Sequence, residues 1–387
     1  MTVTSTISPA VIICLRFIGL WPGVSYSIIN WLSFVFMLVI QLYFQYLYIF
    51  NHLKISELSN LVDCLIVTLY YSLTIFKLTN LWIHRRVLHK ILTDMDDDWR
   101  ECVNDDQHLH IMTIKANVSH FFSNGLLSFT MIVATFYVSG NYIIRFIFVT
   151  EHYNDTVRQL PIKIQLPFET EQSPMFEFLV IAITLQVMLH SGMISILNGL
   201  IFILVLHLSG QIDIICQKFR NISKNTLLHR SSIHSFGMLI ERHNRILSFS
   251  ENMEKLFSLF WLLQVFWNTA VVCCLGFVFI ISIHNETGVF VLVKTVSGYF
   301  SMILEVFIIC LAGEYLSSKG KLITTATYEM PWYDMPSNQS KVLMFIMMRS
   351  QKRLVITAGK MMDMSFESFT TIIKASASYI SVLYAIY

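Results

Sequence analysis

Apolar stretches long enough to cross a lipid bilayer take up most of this 387-residue chain. A spanning helix needs about 20 mostly apolar residues. Six stretches meet that requirement readily, and a seventh, at the C-terminal end, is weaker because it contains Lys374 and several hydroxyl side chains. The predicted spans are 28–50, 61–82, 121–149, 177–208, 256–283, 289–313 and 364–386. The sequence therefore predicts an all-α membrane protein with seven transmembrane helices.

The composition agrees with a chain that has lipid as its solvent. Hydrophobic residues make up 55% of the chain and charged residues only 13%, with a mean hydropathy of +0.60. Soluble domains carry about a quarter charged residues, so this chain has too little polar surface to cover a water-facing globule. The net charge of +2 gives no electrostatic footprint for nucleic acid. Membrane lipid is thus an expected partner, and nucleic acid is not.

The basic residues are concentrated in three of the loops between the predicted spans. These are the loops between spans two and three, four and five, and six and seven. Because Lys and Arg accumulate on the cytoplasmic side, we expect the N-terminus in the cytoplasm and the C-terminus outside the cell. Two glycosylation sequons, at Asn154 and Asn285, then fall in predicted external loops.

No feature of the chain points to an enzyme, a metal or a cofactor. The seven cysteines form no metal-binding pattern, and none lies in a segment predicted to be external, so we expect neither a zinc site nor a disulfide framework. Acid–base pairs and nucleophile motifs are absent at membrane depth. We do not expect the first segment, 1–27, to be a cleavable signal peptide, because Arg16 interrupts its apolar run. It is predicted to hold a short helix at the cytoplasmic interface.

The cytoplasmic loops carry recurrent large apolar residues, which predicts helices rather than solvated loops. Residues 209–255 should continue helices four and five, and 337–359 should form a helix from Ser337 to Gly359. We therefore divide the chain after its N-terminal segment into helices one to six (28–313), a cytoplasmic anchor made from extensions of helices four to seven (314–363), and helix seven (364–387). The acidic run at residues 94–98 is interpreted as a solvated face.

Seven spans invite comparison with G-protein-coupled receptors, but the predicted cytoplasmic N-terminus and the missing Asp-Arg-Tyr and Asn-Pro-x-x-Tyr motifs argue against that class. The C-terminal third resembles insect odorant receptors instead, and so does the segment 16–22 before the first span. The motifs that carry the resemblance are Ala312-Gly313-Glu314-Tyr315-Leu316, Ala326-Thr327-Tyr328, Pro331-Trp332-Tyr333-Asp334, Arg349-Ser350-Gln351-Lys352, Thr357-Ala358-Gly359-Lys360, Phe366 and Ser378-Tyr379.

The resemblance implies an odorant-gated, non-selective cation channel in the plasma membrane of olfactory neuron dendrites. Four subunits would surround one pore. This chain would bind a small, volatile, apolar odorant, and a shared co-receptor would complete the heterotetramer that conducts permeant cations. Three alternatives remain: a seven-helix receptor that signals through a soluble transducer, a gustatory-type channel, and a transporter. The missing terminal Gln-Phe disfavours the gustatory type, and the absence of internal repeats disfavours the transporter.

Helix seven would line the pore. The resemblance implies an apolar gate at Val382 and Ile386, which lie four residues apart on one helical face. The same face continues through the small or polar residues Ser378, Ala375 and Thr371. Lys374 lies about 80° away from this stripe at 100° per residue. We expect it either to snorkel inward, towards the cytoplasmic side, or to pair with Glu305 of helix six, because charges within a membrane are seldom left alone.

The resemblance also implies an odorant pocket in the outer half of the bundle, among helices two, three, four and six. Its expected lining consists of Val67, Tyr70, Tyr71, Met131, Thr135, Met188, Gly192, Tyr299 and Met302, with His190 as a candidate polar anchor. Ordinary helix packing accounts equally well for any one of these aromatic residues. Trp332 and Tyr333 are expected to anchor the subunits to one another.

Overall fold

The architecture is given by a computed structural model that describes residues 5–53, 58–147, 160–168, 170, 172–226, 233–284 and 289–386. The helices are α1 (Pro9–Phe17), α2 (Ser27–Asn51), α3 (Leu58–Ile83), α4 (Arg85–Cys102), α5 (Asp106–Ile147), α6 (Met175–Thr226), α7 (Ile233–His284), α8 (Val289–Tyr328), α9 (Ser337–Ser350) and α10 (Phe366–Ile386). A 3-10 turn (Trp332–Asp334) precedes α9, and two short strands, β1 (Thr357–Ala358) and β2 (Met362–Asp363), precede α10.

The predicted seven-helix membrane fold is confirmed. The spans correspond in order to α2, α3, α5, α6, α7, α8 and α10. Among the described residues, six of these helices are long and apolar enough to cross a membrane on composition alone.

Helix α6 forms the centre of the bundle. Its most apolar stretch is 89% buried, whereas that of α2 is only 22% buried. A helix that is apolar on all sides belongs in a core. Nearly all residues of α6 from Met193 to Phe219 are buried. The large exposed side chains of α2, such as Phe36 and Tyr43, form a face suited to lipid.

Several spanning helices continue far past the membrane, on the side that carries the basic loops. Helix α6 runs to Thr226, α7 starts at Ile233 and α8 runs to Tyr328, as predicted for helices four to six. Helix α5 also extends, since it begins at Asp106 and not near residue 121. This extension was not predicted, because residues 106–120 are too polar to be recognised as part of a span.

The prediction that one helix runs from Ser337 to Gly359 as an extension of helix seven is wrong. Helix α9 ends at Ser350 and not at Gly359, and a β-hairpin separates it from α10. Gly359 (φ +62°) and Lys360 (φ +59°) give the two positive φ angles that a tight hairpin turn requires. Ser337 is not a cap either, because the N-cap residue is Pro336 and no side chain caps this end.

The hairpin is fixed to α7 by hydrogen bonds. The carbonyl oxygen of Ser258 accepts from the Gly359 N–H at 2.8 Å, and the Glu254 carboxylate accepts from the Thr357 N–H at 3.0 Å. These bonds hold the segment before α10 against the long helix α7.

The interpretation of the acidic run as a solvated face is wrong for one residue. Asp96 and Asp97 are exposed, but Asp98 is buried, and its carboxylate lies 3.0 Å from Nε2 of His207 on α6. The amphipathic helix α4 turns Asp98 inward together with its apolar face, so the run does not lie on one surface.

One turn further on, Glu101 pairs with Arg242 at 2.6 Å and with Arg245 at 2.8 Å. Burial raises the pKa of the Glu101 carboxyl, but these two guanidinium groups outweigh it and hold the pKa below its usual range. Helix α4 is thereby joined to the extended part of α7.

Candidate functional site

A cavity of about 190 Å³ lies within the bundle, between α3, α5, α6 and α8. It has the position and the character of a small-molecule site, since such sites lie between helices of bundles and are mostly apolar with a few polar groups. Its lining consists of Ile66, Val67, Tyr70, Tyr71, Leu126, Phe129, Thr130, Val133, Ala134, Tyr137, Ile162, Val187, His190, Ser191, Ile194, Ser195, Asn198, Gly298, Ser301, Met302, Leu304, Glu305 and Ile308.

An aromatic group forms one wall of the cavity. Tyr71 stacks on the His190 ring with centroids 3.9 Å apart, and Tyr70 meets the same ring edge-on at 5.8 Å. The Nε2 atom of His190 lies 2.9 Å from the Thr74 hydroxyl, which fixes the orientation of the imidazole. The spacing of Tyr70, Tyr71 and Thr74 on α3 places all three on the side that faces α6.

Glu305 is the charged residue of the lining, and it is only 8% exposed. One of its carboxylate oxygens accepts a hydrogen bond from the Tyr70 hydroxyl, and the other accepts from Nε2 of Gln264 at 2.7 Å. The predicted pair of Glu305 with Lys374 is therefore wrong within this chain. Glu305 faces α3 and α7, and Lys374 is exposed on α10.

A buried lysine lies near this carboxylate. Lys77 is 1% exposed, donates to the Asn198 side chain at 2.8 Å and lies 4.7 Å from the centre of the Phe260 ring. Ionisable residues at membrane depth are costly and tend to mark functional sites. Neither Lys77 nor Asn198 was predicted as a site residue. The charge of Lys77 within a predicted span is the sequence signal that could have identified this site.

The cavity contains four of the nine residues predicted to line the pocket: Val67, Tyr70, Tyr71 and Met302. His190, the candidate polar anchor, also lines it. The spacing on α3 thus identified the correct face of that helix. Sequence reasoning missed the lining from α5, including Phe129 and Tyr137.

The other five predicted residues lie outside the cavity. Four of them meet at the contact between α5 and α6: a Cβ at Gly192 would come within 2.7 Å of Cε of Met131, and the Thr135 hydroxyl lies 3.9 Å from Sδ of Met188. Met131 lies one position, or about 100°, from the lining residue Thr130.

The fifth of these residues, Tyr299, packs in a cluster that joins α3, α7, α8 and α10. Its buried members are Val271, Val272, Leu275 and Met302, and Ile66, Leu69, Tyr70, Tyr299 and Ile380 pack against them. Met302 and Tyr70 belong both to this cluster and to the cavity wall. The cluster therefore connects the cavity to Ile380 on α10.

Helix α10 turns one face inward and the predicted pore face outward. Ile372 and Ser376 are buried, and Ile380 contacts α7 so closely that a Cβ at Gly276 would come within 2.6 Å of its Cγ1 atom. On the other face, Thr371, Ser378 and Val382 are exposed and Ala375 is half-buried. The side chain of Ile386 lies outside the described residues.

The predicted anchor residues lie in the 3-10 turn before α9. Trp332 is half-buried against the core, and Tyr333 is 72% exposed with its ring 5.8 Å from that of Trp332. Asn154 and Asn285, the predicted glycosylation sites, lie outside the described residues.

Similar proteins of known sequence are insect odorant receptors. The chain is 24% identical to Odorant receptor 22c of Drosophila melanogaster over 237 residues, which are 58% of this chain and 57% of that protein. It is 26% identical to Odorant receptor 10 of Aedes albopictus over 150 residues, 38% of this chain and 39% of the relative. Each match thus spans less than two thirds of the relative's own length.

Among solved structures, the insect olfactory receptor OR5 from Machilis hrabei in complex with eugenol shares the fold, with a TM-score of 0.81 over 97% of both chains at 14% identity. A second structure of that receptor has a TM-score of 0.79 at 15% identity, again over 97% of both chains. The profile of the family described as 7tm Odorant receptor matches residues 57–377. This chain therefore belongs to the insect odorant receptor family.

Proposed function

We propose that this odorant receptor is the odorant-binding subunit of an odorant-gated cation channel. Its partners are a small, volatile, apolar odorant, permeant cations, and a co-receptor subunit with which it forms a heterotetramer. It acts in the plasma membrane of olfactory neuron dendrites. The observation that carries the proposal is the apolar cavity between α3, α5, α6 and α8, which has a chain of packed side chains leading to the exposed last helix.

The odorant binds in that cavity. Its volume of about 190 Å³ is below the roughly 300 Å³ typical of sites for drug-sized ligands, so it suits a small, volatile molecule. Its walls are aromatic and aliphatic, and most of its polar groups are already paired with protein groups.

The gate is formed by α10. Val382 is 57% exposed on the face that points away from the subunit's own bundle, which is the face available to line a pore shared with other subunits. A ring of branched apolar side chains cannot solvate an ion, so it blocks conduction until the helices separate. The small or polar residues Thr371, Ala375 and Ser378 provide the wetted path below it. Trp332 and Tyr333 contact the neighbouring subunits.

Odorant binding and the gate are coupled through α7 and α8. A ligand that fits the open arrangement better shifts the population towards it. The cluster containing Met302 and Ile380 is the physical connection: a ligand that moves Met302 or Tyr70 changes the packing against Ile380, and hence the position of α10.

Co-expression with an odorant receptor co-receptor, with recording of currents evoked by heptan-2-one, heptan-1-ol and eugenol, tests the proposal. We expect at least one of these compounds to evoke a cation current that needs both subunits. Ala134→Leu, which fills part of the cavity, should raise the half-maximal concentration about tenfold. Ala182→Leu, at an exposed position of the same bundle, should have no effect.

Surface labelling of each variant serves as the control for expression. If Ala134→Leu and Ala182→Leu reach the surface equally and change the half-maximal concentration equally, the cavity is not the odorant site. Absence of current for all three compounds, with both subunits at the surface, would contradict the channel proposal for ligands of this kind.

A further inference from the structure

Two tryptophans stack where α2 begins and α3 ends. Trp31, in the second turn of α2, lies against Trp82, in the last turn of α3, with ring centroids 4.9 Å apart. Both side chains are half-buried, and both belong to ends of spans that are predicted to lie at the cytoplasmic face of the membrane. Tryptophans concentrate at the membrane–water interface, so this stack indicates the depth at which lipid headgroups meet the protein.

Basic side chains lie at the same depth. Arg85 and Arg86 are the first two residues of α4, and the guanidinium carbon of Arg85 lies 4.5 Å from the centre of the Trp82 ring. The chain that leaves α1 reaches this place too, because the Nε2 atom of His89 lies 3.2 Å from the carbonyl oxygen of Leu20. Arg85 lies one turn before His89 on the same face of α4, and therefore on the side that meets this part of the chain.

Helix α1 adds a third guanidinium group and an apolar strip. Arg16 is exposed, and its guanidinium carbon lies 5.7 Å from the centre of the ring of Trp21, the residue that follows Leu20. On the same helix, Ile13 is 66% exposed and Phe17 is 57% exposed, and the two lie one turn apart. A short helix with an uncovered apolar strip next to a positive charge is suited to lie in the plane of the interface.

Among the described residues, none of these three arginines has an acidic partner. Arg100, at the other end of α4, shows the contrast, since its guanidinium group is paired with Asp96 at 2.7 Å. Arg16 and Arg85 are held over tryptophan rings instead, and Arg86 is exposed. A guanidinium group that lies over an aromatic ring keeps N–H donors free, and such a fork binds phosphate through two parallel hydrogen bonds.

We propose that Arg16, Arg85 and Arg86 bind the headgroup of one anionic phospholipid of the cytoplasmic leaflet. The acyl chains of this lipid lie against Ile13 and Phe17. Basic residues at this surface attract anionic lipid, and here three of them have no competing carboxylate. A soluble phosphate would pair with the arginines but leave the apolar strip of α1 uncovered, which favours a lipid as the occupant. The inference does not depend on the proposed odorant-gated function.

Melting temperatures of the purified full-length chain in neutral detergent micelles test the proposal. Phosphatidylserine, phosphatidylcholine and the soluble headgroup sn-glycero-3-phosphoserine are added in turn. We expect phosphatidylserine to raise the melting temperature well above the value in phosphatidylcholine, and the soluble headgroup to have little effect. Higher ionic strength should weaken the effect of phosphatidylserine, because salt screens the attraction between exposed charges.

Variants of the arginines locate the site. Arg85→Gln and Arg86→Gln should each raise the half-maximal phosphatidylserine concentration about fivefold, the effect of one basic residue near an anionic membrane surface. Arg16→Gln, on a separate helix, should do the same. Arg100→Gln is the matched control, because it removes the same charge from the same helix at a residue that is already paired with Asp96. The melting temperature of each variant in phosphatidylcholine alone reports its basal stability, which separates a loss of fold from a loss of lipid binding.

Three results would overturn the inference. If phosphatidylserine and phosphatidylcholine raise the melting temperature of the wild type equally, the protein has no site for anionic lipid. If Arg100→Gln weakens the effect as much as Arg86→Gln, the lipid responds to overall charge and not to these arginines. If sn-glycero-3-phosphoserine matches the lipid, the site takes a soluble phosphate. Each of these results leaves the odorant-evoked current untouched, so the inference can fail while the proposed function stands.

Discussion

At the scale of single residues, Gly313 shows how one position decides the packing of the last helix. A Cβ at Gly313 on α8 would collide with the backbone oxygen of Met364, just before α10 begins. Backbone cannot move aside as a flexible side chain can, so only glycine permits this approach. Beyond this contact, α8 continues without α10 beside it as far as Tyr328.

Gly313→Ala should therefore separate α8 from the start of α10. We expect a loss of about 1–3 kcal/mol in stability, the usual cost of forcing extra volume into a packed site, seen as a lower melting temperature of the purified protein and less receptor at the surface. Gly125→Ala is the matched control, because no atom of the described residues outside its own stretch of helix backbone lies within 4 Å of the added methyl group. Equal melting temperatures for the two variants would show that the contact at Met364 does not constrain the fold.

Only some of the residues that line the cavity could be predicted from the sequence. Spacing identified Val67, Tyr70 and Tyr71, because α3 mixes polar and apolar residues and so has a recognisable inner face. It failed for Met131 and Met188, because α5 and α6 are apolar on several sides within the bilayer. Periodicity then does not fix the rotation of a helix, and a shift of one residue turns a side chain by about 100°.

At the scale of elements, α10 is the helix that the hydropathy pattern describes least well and the one that the proposal depends on most. Its bounds, Phe366–Ile386, lie within two residues of the predicted start at 364 and match the predicted end. The proposed pore lining predicts this weaker signal, because a helix with one face towards water is expected to be less apolar than its neighbours. The hairpin before it was missed, because Gly359-Lys360 is not one of the residue pairs that strongly indicate a tight hairpin turn.

The close contact between Gly276 of α7 and Ile380 of α10 leads to a prediction about gating. Gly276→Ala places a methyl group where Ile380 now lies, and pushes α10 away from its own bundle towards the pore. We expect this to favour the closed pore and to raise the half-maximal odorant concentration about 3- to 10-fold. Ile380→Ala, which removes the three side-chain atoms nearest to the added methyl group, should restore most of the loss when the two changes are combined.

The measurement is the odorant concentration–response curve of the evoked current, with surface labelling as control. If the two substitutions act additively, the Gly276–Ile380 contact does not couple α7 to the gate. If Gly276→Ala alone leaves the curve unchanged, the proposed route from the cavity to α10 is wrong.

At the scale of the whole molecule, the fold follows from a small set of sequence features. Seven apolar stretches and three basic loops predicted the transmembrane arrangement, and apolar periodicity predicted that helices four to six extend beyond the membrane. The position of α4 could not be predicted in this way, because it depends on contacts between distant residues such as Asp98 with His207 and Glu101 with Arg242. Pairing of this kind is decided by tertiary packing and leaves no local pattern.

The most direct test of the channel proposal is the accessibility of Val382→Cys during odorant-evoked current. We predict that a membrane-impermeant, positively charged methanethiosulfonate reagent irreversibly blocks the current of this variant, and blocks it faster when odorant is present. It should leave wild type and Val39→Cys, an exposed position on the lipid-facing helix α2, unaffected. If Val382→Cys carries normal current and resists the reagent both with and without odorant, α10 does not line the pore at Val382 and the proposed gate is wrong.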